Sequence, residues 1–332
     1  MKKFSAVLLS VVLLIVTVGT AGAAYRINLA TATTGGAYYP IGNTMANVWS
    51  TKLEGVRASA QSTAGTNQNI DLMMNQETEI AMGQNGICYY AYNGVDIYEG
   101  KPGFPYRDLR GMFSLWPNIM HWVVRADAGI KSVADLRSKR IVPGQVASAT
   151  EINSREMLAA YGLNYMKDKG EVNVTAEYLG YNEAADAMKN GQIDATHIAG
   201  GLPTAAVTDI LSSGAGVLLS MEPESIKQIC EKYPWYFPYT IPKGTYLKQN
   251  EDVHTIALSN ILFTSKDQPD ELIYMLTKAV YDFHDDMVLG HKATEYTVPE
   301  NAFNGMTLPL HNGAIKYFEE KGFTVPAALK AQ

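Results

Sequence analysis

What most constrains this chain is a repeated alternation. Short β-prone runs give way to helical stretches across turns made of glycine, hydroxyl and amide residues. Alternation of this kind argues for an α/β fold with largely parallel sheets, because a parallel strand pair needs a crossover long enough to hold a helix. Arg26 to Ala32 is the first β-prone run, and a helix is expected from about Pro40 to Leu53. Val56 to Ser62 and Glu79 to Met82 read as further strands, with a helix running through Met74 between them. Leu109 to Trp116 and Ile119 to Arg125 read as two strands, the second leaving the first lobe.

The alternation then restarts. Arg140-Ile141-Val142, Val174 to Leu179 and Ile193 to Ala199 are strand-like, and helices are expected near Thr150 to Tyr161 and Glu183 to Lys189. Gly216 to Ser220 is expected to cross back, with a strand over Ile256 to Phe263 and a helix over Pro269 to Asp286 completing the first lobe. The expected organisation is a first lobe of residues 24–124 and 216–332 and a second of residues 125–215. With no linker between them, the lobes are expected to join through paired crossing strands that act as a hinge.

The turns carry the functional expectation. Thr33-Thr34-Gly35-Gly36-Ala37-Tyr38-Tyr39, Ser62-Thr63-Ala64-Gly65-Thr66-Asn67 and Gly83-Gln84-Asn85-Gly86 belong to the first lobe. Gly144-Gln145-Val146-Ala147-Ser148-Ala149-Thr150, Gly180-Tyr181-Asn182 and Gly200-Gly201-Leu202-Pro203 belong to the second. In a parallel α/β sheet such turns gather at the carboxyl ends of the strands, where ligands bind. Glycine admits close backbone approach, hydroxyls and amides give directional hydrogen bonds, and helix amino termini favour anions. Each turn alone is ordinary turn and N-cap chemistry; all six together, on two lobes that face each other, point to a ligand cleft. The site residues expected are Gly35, Gly36, Tyr38, Tyr39, Ser62, Thr63, Gly65, Thr66, Gln84, Asn85, Ser148, Ala149, Thr150, Gly200 and Pro203. Tyr38 and Tyr39 offer a stacking wall and a hydroxyl, with at least one expected to pack on the following helix. Arg155, one turn into its helix, is the nearest cation for a carboxylate, or else a helix-surface arginine.

Residues 1–23 read as an export leader: Lys2 and Lys3, an apolar stretch from Phe4 to Val18, and the small-x-small pattern Ala21-Gly22-Ala23. The alternative, an uncleaved anchor, is disfavoured because the run is short for a membrane span. The mature chain of roughly 300 residues suffices for two lobes and is expected in the periplasm, soluble and monomeric. Taking Lys2 and Lys3 from 27 basic residues leaves 25 against 33 acids, a net charge of −8. That balance argues against nucleic acid and anionic membranes as partners. Cys88 and Cys230 either pair as a disulfide or stay as free thiols.

Catalytic and metal signatures are missing from the sequence. It has no G-x-S-x-G, H-E-x-x-H, G-x-x-x-x-G-K or G-x-G-x-x-G. His284, Asp285, Asp286 and His291 lack a ligand spacing and read as a solvated helix end. No metal, no cofactor and no catalysis are expected.

The turns also resemble a family. Thr34-Gly35-Gly36-Ala37-Tyr38-Tyr39-Pro40-Ile41-Gly42 is similar to the opening signature of TAXI-type solute receptors of TRAP transporters, and Gly65-Thr66-Asn67-Gln68-Asn69 to their G-S-x-x-N turn. Gly129 to Leu136, Gly191 to Ala195, Gly200 to Pro203, Pro242 to Tyr246 and Pro309 to Ala314 continue the likeness in order. The resemblance implies a two-lobed periplasmic binding fold, type II-like, with the ligand cleft between lobes. It implies a TRAP membrane permease driven by an ion gradient as partner, and a small carboxylate such as glutamate as ligand. It places ligand contacts at Gly36, Tyr38, Ser62, Thr66, Gln84, Ser148 and Thr150. Two departures stand out. Ala147-Ser148-Ala149-Thr150 replaces the family's G-S-G-T, and Asn312 replaces a usual proline. The rival readings are a receptor serving a membrane sensor and a periplasmic enzyme on the same scaffold.

Overall fold

The computed structural model describes residues 25–146 and 148–330; the expected leader and Ala147 lie outside the described residues. The first lobe opens with β1 (Tyr25–Ala30), α1 (Tyr38–Lys52), β2 (Val56–Gln61), α2 (Thr66–Met74), β3 (Ile80–Gln84) and α3 (Asn85–Asn93). In α1, Pro40 sits in the first turn, where a missing N–H costs no intrahelical bond. The helix buries Ile41, Met45, Val48 and Trp49, a stripe at helical spacing. Trp49 fixes it further by donating from Nε1 to the Leu276 carbonyl at 3.0 Å. Strand β1 runs parallel to both β2 and β3, so the ends of all three strands open toward the same side.

The chain then crosses in one continuous strand, β4 (Leu109–Arg125). The two strands expected there are one, despite Pro117. The second lobe follows with β5 (Arg140–Val142), α4 (Ala149–Ala159), β6 (Thr175–Ala176), α5 (Tyr181–Lys189), β7 (Ala195–Gly200) and α6 (Ala205–Ser213). Next come β8 (Gly216–Leu219), α7 (Pro223–Lys232) and β9 (Phe237–Ile241). Strand β10 (Val253–Ser265) crosses back, leading to α8 (Asp270–Asp282), α9 (His284–Gly290) and α10 (Asn312–Glu320).

The ten strands of the described residues form one sheet, in the order β2-β1-β3-β10-β4-β7-β5-β6, with β8 added to β4 and β9 to β10. Strands β4 and β10 are its antiparallel spine, shared by both lobes. Each serves different cores along its length. Leu109, Met112, Phe113, Leu115 and Trp116 join the first-lobe core. Beyond them Met120, Trp122 and Val124 enter one second-lobe core, while Ile119 and Val123 enter another on the opposite face. That alternation is the strand period of two, with both faces buried.

The protein is thus a two-lobed α/β fold hinged on two crossing strands. One boundary moves. The return crossing expected at Gly216–Ser220 is instead β10, because Leu219, Met221, Ile226 and Ile229 pack into a second-lobe core, as do Tyr236, Ile256 and Leu258. Strand β8 is a short addition to β4, pairing Gly216 with Arg125 and Leu219 with Trp122. Cys88 and Cys230 are free thiols, the first buried and the second half-buried.

Candidate functional site

The strand-to-helix turns of both lobes meet around one cavity, partly open to solvent, with about 460 Å³ of non-atom space when its open mouth is counted. The first lobe contributes Thr33, Gly36, Tyr38, Gly65, Thr66 and Gln84; the second contributes Gln145, Ser148, Ala149, Thr150 and Tyr181. Asn118, on the crossing strand β4, lies between the two groups. Small apolar walls come from Ala32, Ala37, Ala64 and Ala199.

Five helices aim their amino termini at this space. Their N-cap positions are Ala37 for α1, Gly65 for α2, Gln84 for α3, Ser148 for α4 and Gly180 for α5. Only Ser148 caps its own helix with a side chain, accepting from the Glu151 amide at 3.2 Å. At the other four the N-cap residue makes no side-chain cap bond, though in α3 Asn85 Oδ1 accepts from the first-turn Gly86 amide at 2.8 Å. Each such terminus carries partial positive charge and free N–H donors. Gly65 makes one of these termini possible: its φ of +109° is strained for any residue with a β-carbon.

The cavity lining among the described residues includes no charged side chain. Its polar groups are neutral, and several are incomplete. Thr33 Oγ1, Gln84 Oε1, Asn118 Oδ1 and Gln145 Oε1 are buried without a protein partner. Gln84 and Asn118 are only 3% and 2% exposed. An unmade hydrogen bond at a buried group costs about 1–3 kcal/mol, so these atoms favour a polar occupant. Thr150 Oγ1 and the Tyr181 hydroxyl lie 2.7 Å apart, and Tyr181 donates to the Ala199 carbonyl at 2.9 Å. Tyr38 donates to Asn260 Oδ1 at 2.5 Å and meets Trp116 edge-on, so it is a wall locked into the hinge. Burial pushes the phenols of Tyr38 and Tyr181 upward, which keeps both neutral donors.

Of the residues expected from the sequence, Gly36, Tyr38, Gly65, Thr66, Gln84, Ser148, Ala149 and Thr150 line the cavity. The other seven do not. Gly35 faces the opposite lobe: a β-carbon there would lie 2.4 Å from Asn182 Oδ1, and its carbonyl accepts from the Ala206 amide at 3.3 Å. Tyr39 is half-buried on α1. Ser62 is exposed and bonds back to the Ala32 carbonyl at 3.0 Å. Thr63 is spent inside its turn, donating to Asn69 Oδ1 at 2.7 Å and accepting from the Gly65 amide. Asn85 turns away to donate to the Gly305 carbonyl at 2.9 Å. Gly200 is pressed against the Thr204 side chain, and Pro203 is exposed. Arg155 is also outside the lining: it forms a bidentate pair with Glu151, which Tyr165 also donates to.

Asn118, Gln145, Tyr181 and Thr33 are the residues that site reading missed. Gln145, Tyr181 and Thr33 sit in turns recognised from the sequence. Asn118 had a different signal, a lone amide inside an apolar crossing strand. Ala149, one of the two alanines that depart from the family's G-S-G-T, lies at the start of α4, and its methyl joins the first-lobe core with Ile152. Second-lobe helix α4 therefore lodges against the first lobe directly.

Among solved structures, the chain is similar to the periplasmic aliphatic sulphonate binding protein SsuA from Escherichia coli. The identity is 14% and the TM-score 0.48, over 89% of this chain and 82% of that one. The alkanesulfonate-binding protein SsuA from Xanthomonas axonopodis pv. citri matches at 13% identity and a TM-score of 0.45, over 89% and 90% of the two chains. A mutant of ArgBP from T. maritima matches at 11% identity and 0.46, over 81% and 93%. At the level of sequence, the profile of the NMT1-like family matches residues 29–322, and the chain belongs to that family.

Proposed function

We propose that this protein is an exported solute-binding receptor that closes its lobes over one small, carboxylate-bearing solute and performs no reaction on it. The observation that carries the reading is the cavity itself. Four helix amino termini whose N-cap residues make no side-chain bond converge on it, and Gln84 and Asn118, both in the lining, carry unpartnered buried oxygens. Convergent amide donors hold an anion without a cationic side chain, and the neutral lining keeps the attraction local. The unpartnered side-chain oxygens complement hydrogen-bond donors on the same solute, such as the ammonium or hydroxyl of an amino or hydroxy acid. In a dry cleft each bond is worth about 0.5–1.5 kcal/mol net, and more when charge-assisted.

The likeness of the opening turns to TAXI-type receptors supports glutamate or a related acid as the solute and a TRAP permease as the partner. The leader-like residues 1–23 support a periplasmic location. Among the described residues no helix is long and apolar enough to cross a membrane. Lobe closure would proceed by bending of β4 and β10. Titration calorimetry of the mature chain against amino, hydroxy and dicarboxylic acids tests the reading. Saturable heat with at least one such acid is expected; no heat with any of them rules out the carboxylate assignment.

A further inference from the structure

The side of α4 that meets the first lobe carries Ala149, Ile152 and Glu156, one helical stripe. The first two enter the first-lobe core. Glu156, 7% exposed, continues the stripe with a carboxyl group. Its Oε1 accepts from the Tyr90 hydroxyl of α3 at 3.0 Å, and its Oε2 accepts from the Tyr236 hydroxyl. Tyr236 in turn accepts from Asn153 Nδ2 at 2.7 Å. Trp235 roofs the contact. Its ring meets Tyr90 edge-on at 5.0 Å, and its Nε1 would lie 2.6 Å from a β-carbon on Gly86. Tyr233 packs on Trp235 at 5.6 Å, with Lys232 over the Tyr233 ring at 5.0 Å. Asp96, just beyond α3, adds a like charge. Glu156 has no cationic partner among the salt bridges of the described residues.

We propose that Glu156 is a proton-sensitive latch between the lobes: its neutral carboxyl group holds the cleft closed against Tyr90, and its ionisation favours opening. The proposal deepens the binding reading above by giving that cleft a regulator. A carboxylate sealed between two phenols and an aromatic roof lacks the solvation its charge needs. Swinging α3 away from α4 would remove Tyr90 and admit water to it. Burial raises the Glu156 carboxyl to about 7, while Tyr236, Tyr90 and Asn153 pull it down and Asp96 pushes it up. The closed state therefore binds this proton more tightly than an open state near the ordinary value of 4.5. Closure is fully favoured below the open-state value, and the advantage is lost as pH rises to about 7. Each unit of difference is tenfold in the closed-to-open ratio, so the two and a half units between 4.5 and about 7 span about three-hundredfold.

Small-angle X-ray scattering of the ligand-free mature chain from pH 4.5 to 8.5 tests this directly. The radius of gyration is expected to rise between about pH 4.5 and 7 and level off above. Glu156→Gln should stay compact throughout, and Tyr90→Phe, which removes a donor to the carboxylate, should move the midpoint to higher pH. A flat wild-type curve overturns the latch, as does a Glu156→Gln or Tyr90→Phe curve that matches the wild type. No ligand enters the measurement. Failure to bind any acid would sink the binding reading and leave this result standing, whereas solute binding with a flat scattering curve would do the reverse.

Discussion

Tyr181 of the second lobe packs against Gly36 of the first, where a β-carbon would come within 3.3 Å of its ring. The neighbouring Asn182 donates to Thr34 Oγ1 at 3.2 Å, so the opening glycine pair is a seam between lobes as well as a wall of the cavity.

Gly35→Val should therefore impair closure without unfolding either lobe. A β-carbon at this position would sit 3.0 Å from Tyr181 Cβ as well as against Asn182. Solute affinity should fall by about tenfold or more, a loss of at least ~1.4 kcal/mol, while the ligand-free melting temperature stays nearly unchanged. Calorimetry and thermal melts on the same sample separate the two effects.

Asn118→Leu should raise stability and lower affinity together. Its Oδ1 is buried without a protein partner, so replacement by an apolar side chain of similar volume removes a standing cost of about 1 kcal/mol. The same change removes a polar group from the cavity, and affinity should drop by about tenfold or more. A denaturant titration and a binding isotherm measure both. A stabilised variant with unchanged affinity would remove Asn118 from the site.

Arg155→Ala should do the opposite. Arg155 is about one-third exposed, but its partner Glu151 is 3% exposed at the side chain, so the change strands a buried carboxylate that keeps only the Tyr165 donor. The expected loss is about 2 kcal/mol, less than for a fully buried pair because water reaches the guanidinium. Solute affinity should hold, since the arginine belongs to the second lobe's own framework. Chemical denaturation beside calorimetry checks the split.

Acid should weaken the fold through two buried histidines. His121 bonds to Tyr246 and the Ile198 carbonyl, and His197 to Ser154; burial lowers their pKa values to about 4 and about 3. Both values lie below the ordinary 6.5, so the unfolded chain takes up protons first, and stability falls as pH drops below 6.5. Glu156, raised to about 7, works in the opposite direction over the same range. His197→Gln should flatten the acid side of a melting-temperature profile between pH 6.5 and 4.5, by up to about 3 kcal/mol at the lower end. An unchanged slope would show that His197 titrates normally.

The sequence made the architecture legible because the turns are local signals. Glycine, hydroxyl and amide residues mark where a strand hands over to a helix, and five of the six such turns outline the cleft. Long-range pairing left weaker traces. Pro117 reads as a break, yet β4 runs through it, because it pairs with Ser259 just where the β10 register slips and an N–H is dispensable. The return crossing was misplaced for a similar reason: Gly216 to Leu219 is as strand-like as β10, and only the partner strand distinguishes an addition from a crossing. At the site, Ser62, Thr63 and Asn85 have the right chemistry, but backbone groups within 3.0 Å claim their side chains. No residue-type pattern reports that competition.

The continuity of β4 has a cost for anyone wishing to redirect this protein toward another solute. Asn118 touches the cavity from the same strand that must flex, one residue before Ile119 passes into the second lobe's packing. Selectivity and stiffness are therefore written in one place, and a substitution there alters how far the halves rock as well as what they hold. Thr33 and Gln145, carried on turns to either side of that spine, offer the independent handles.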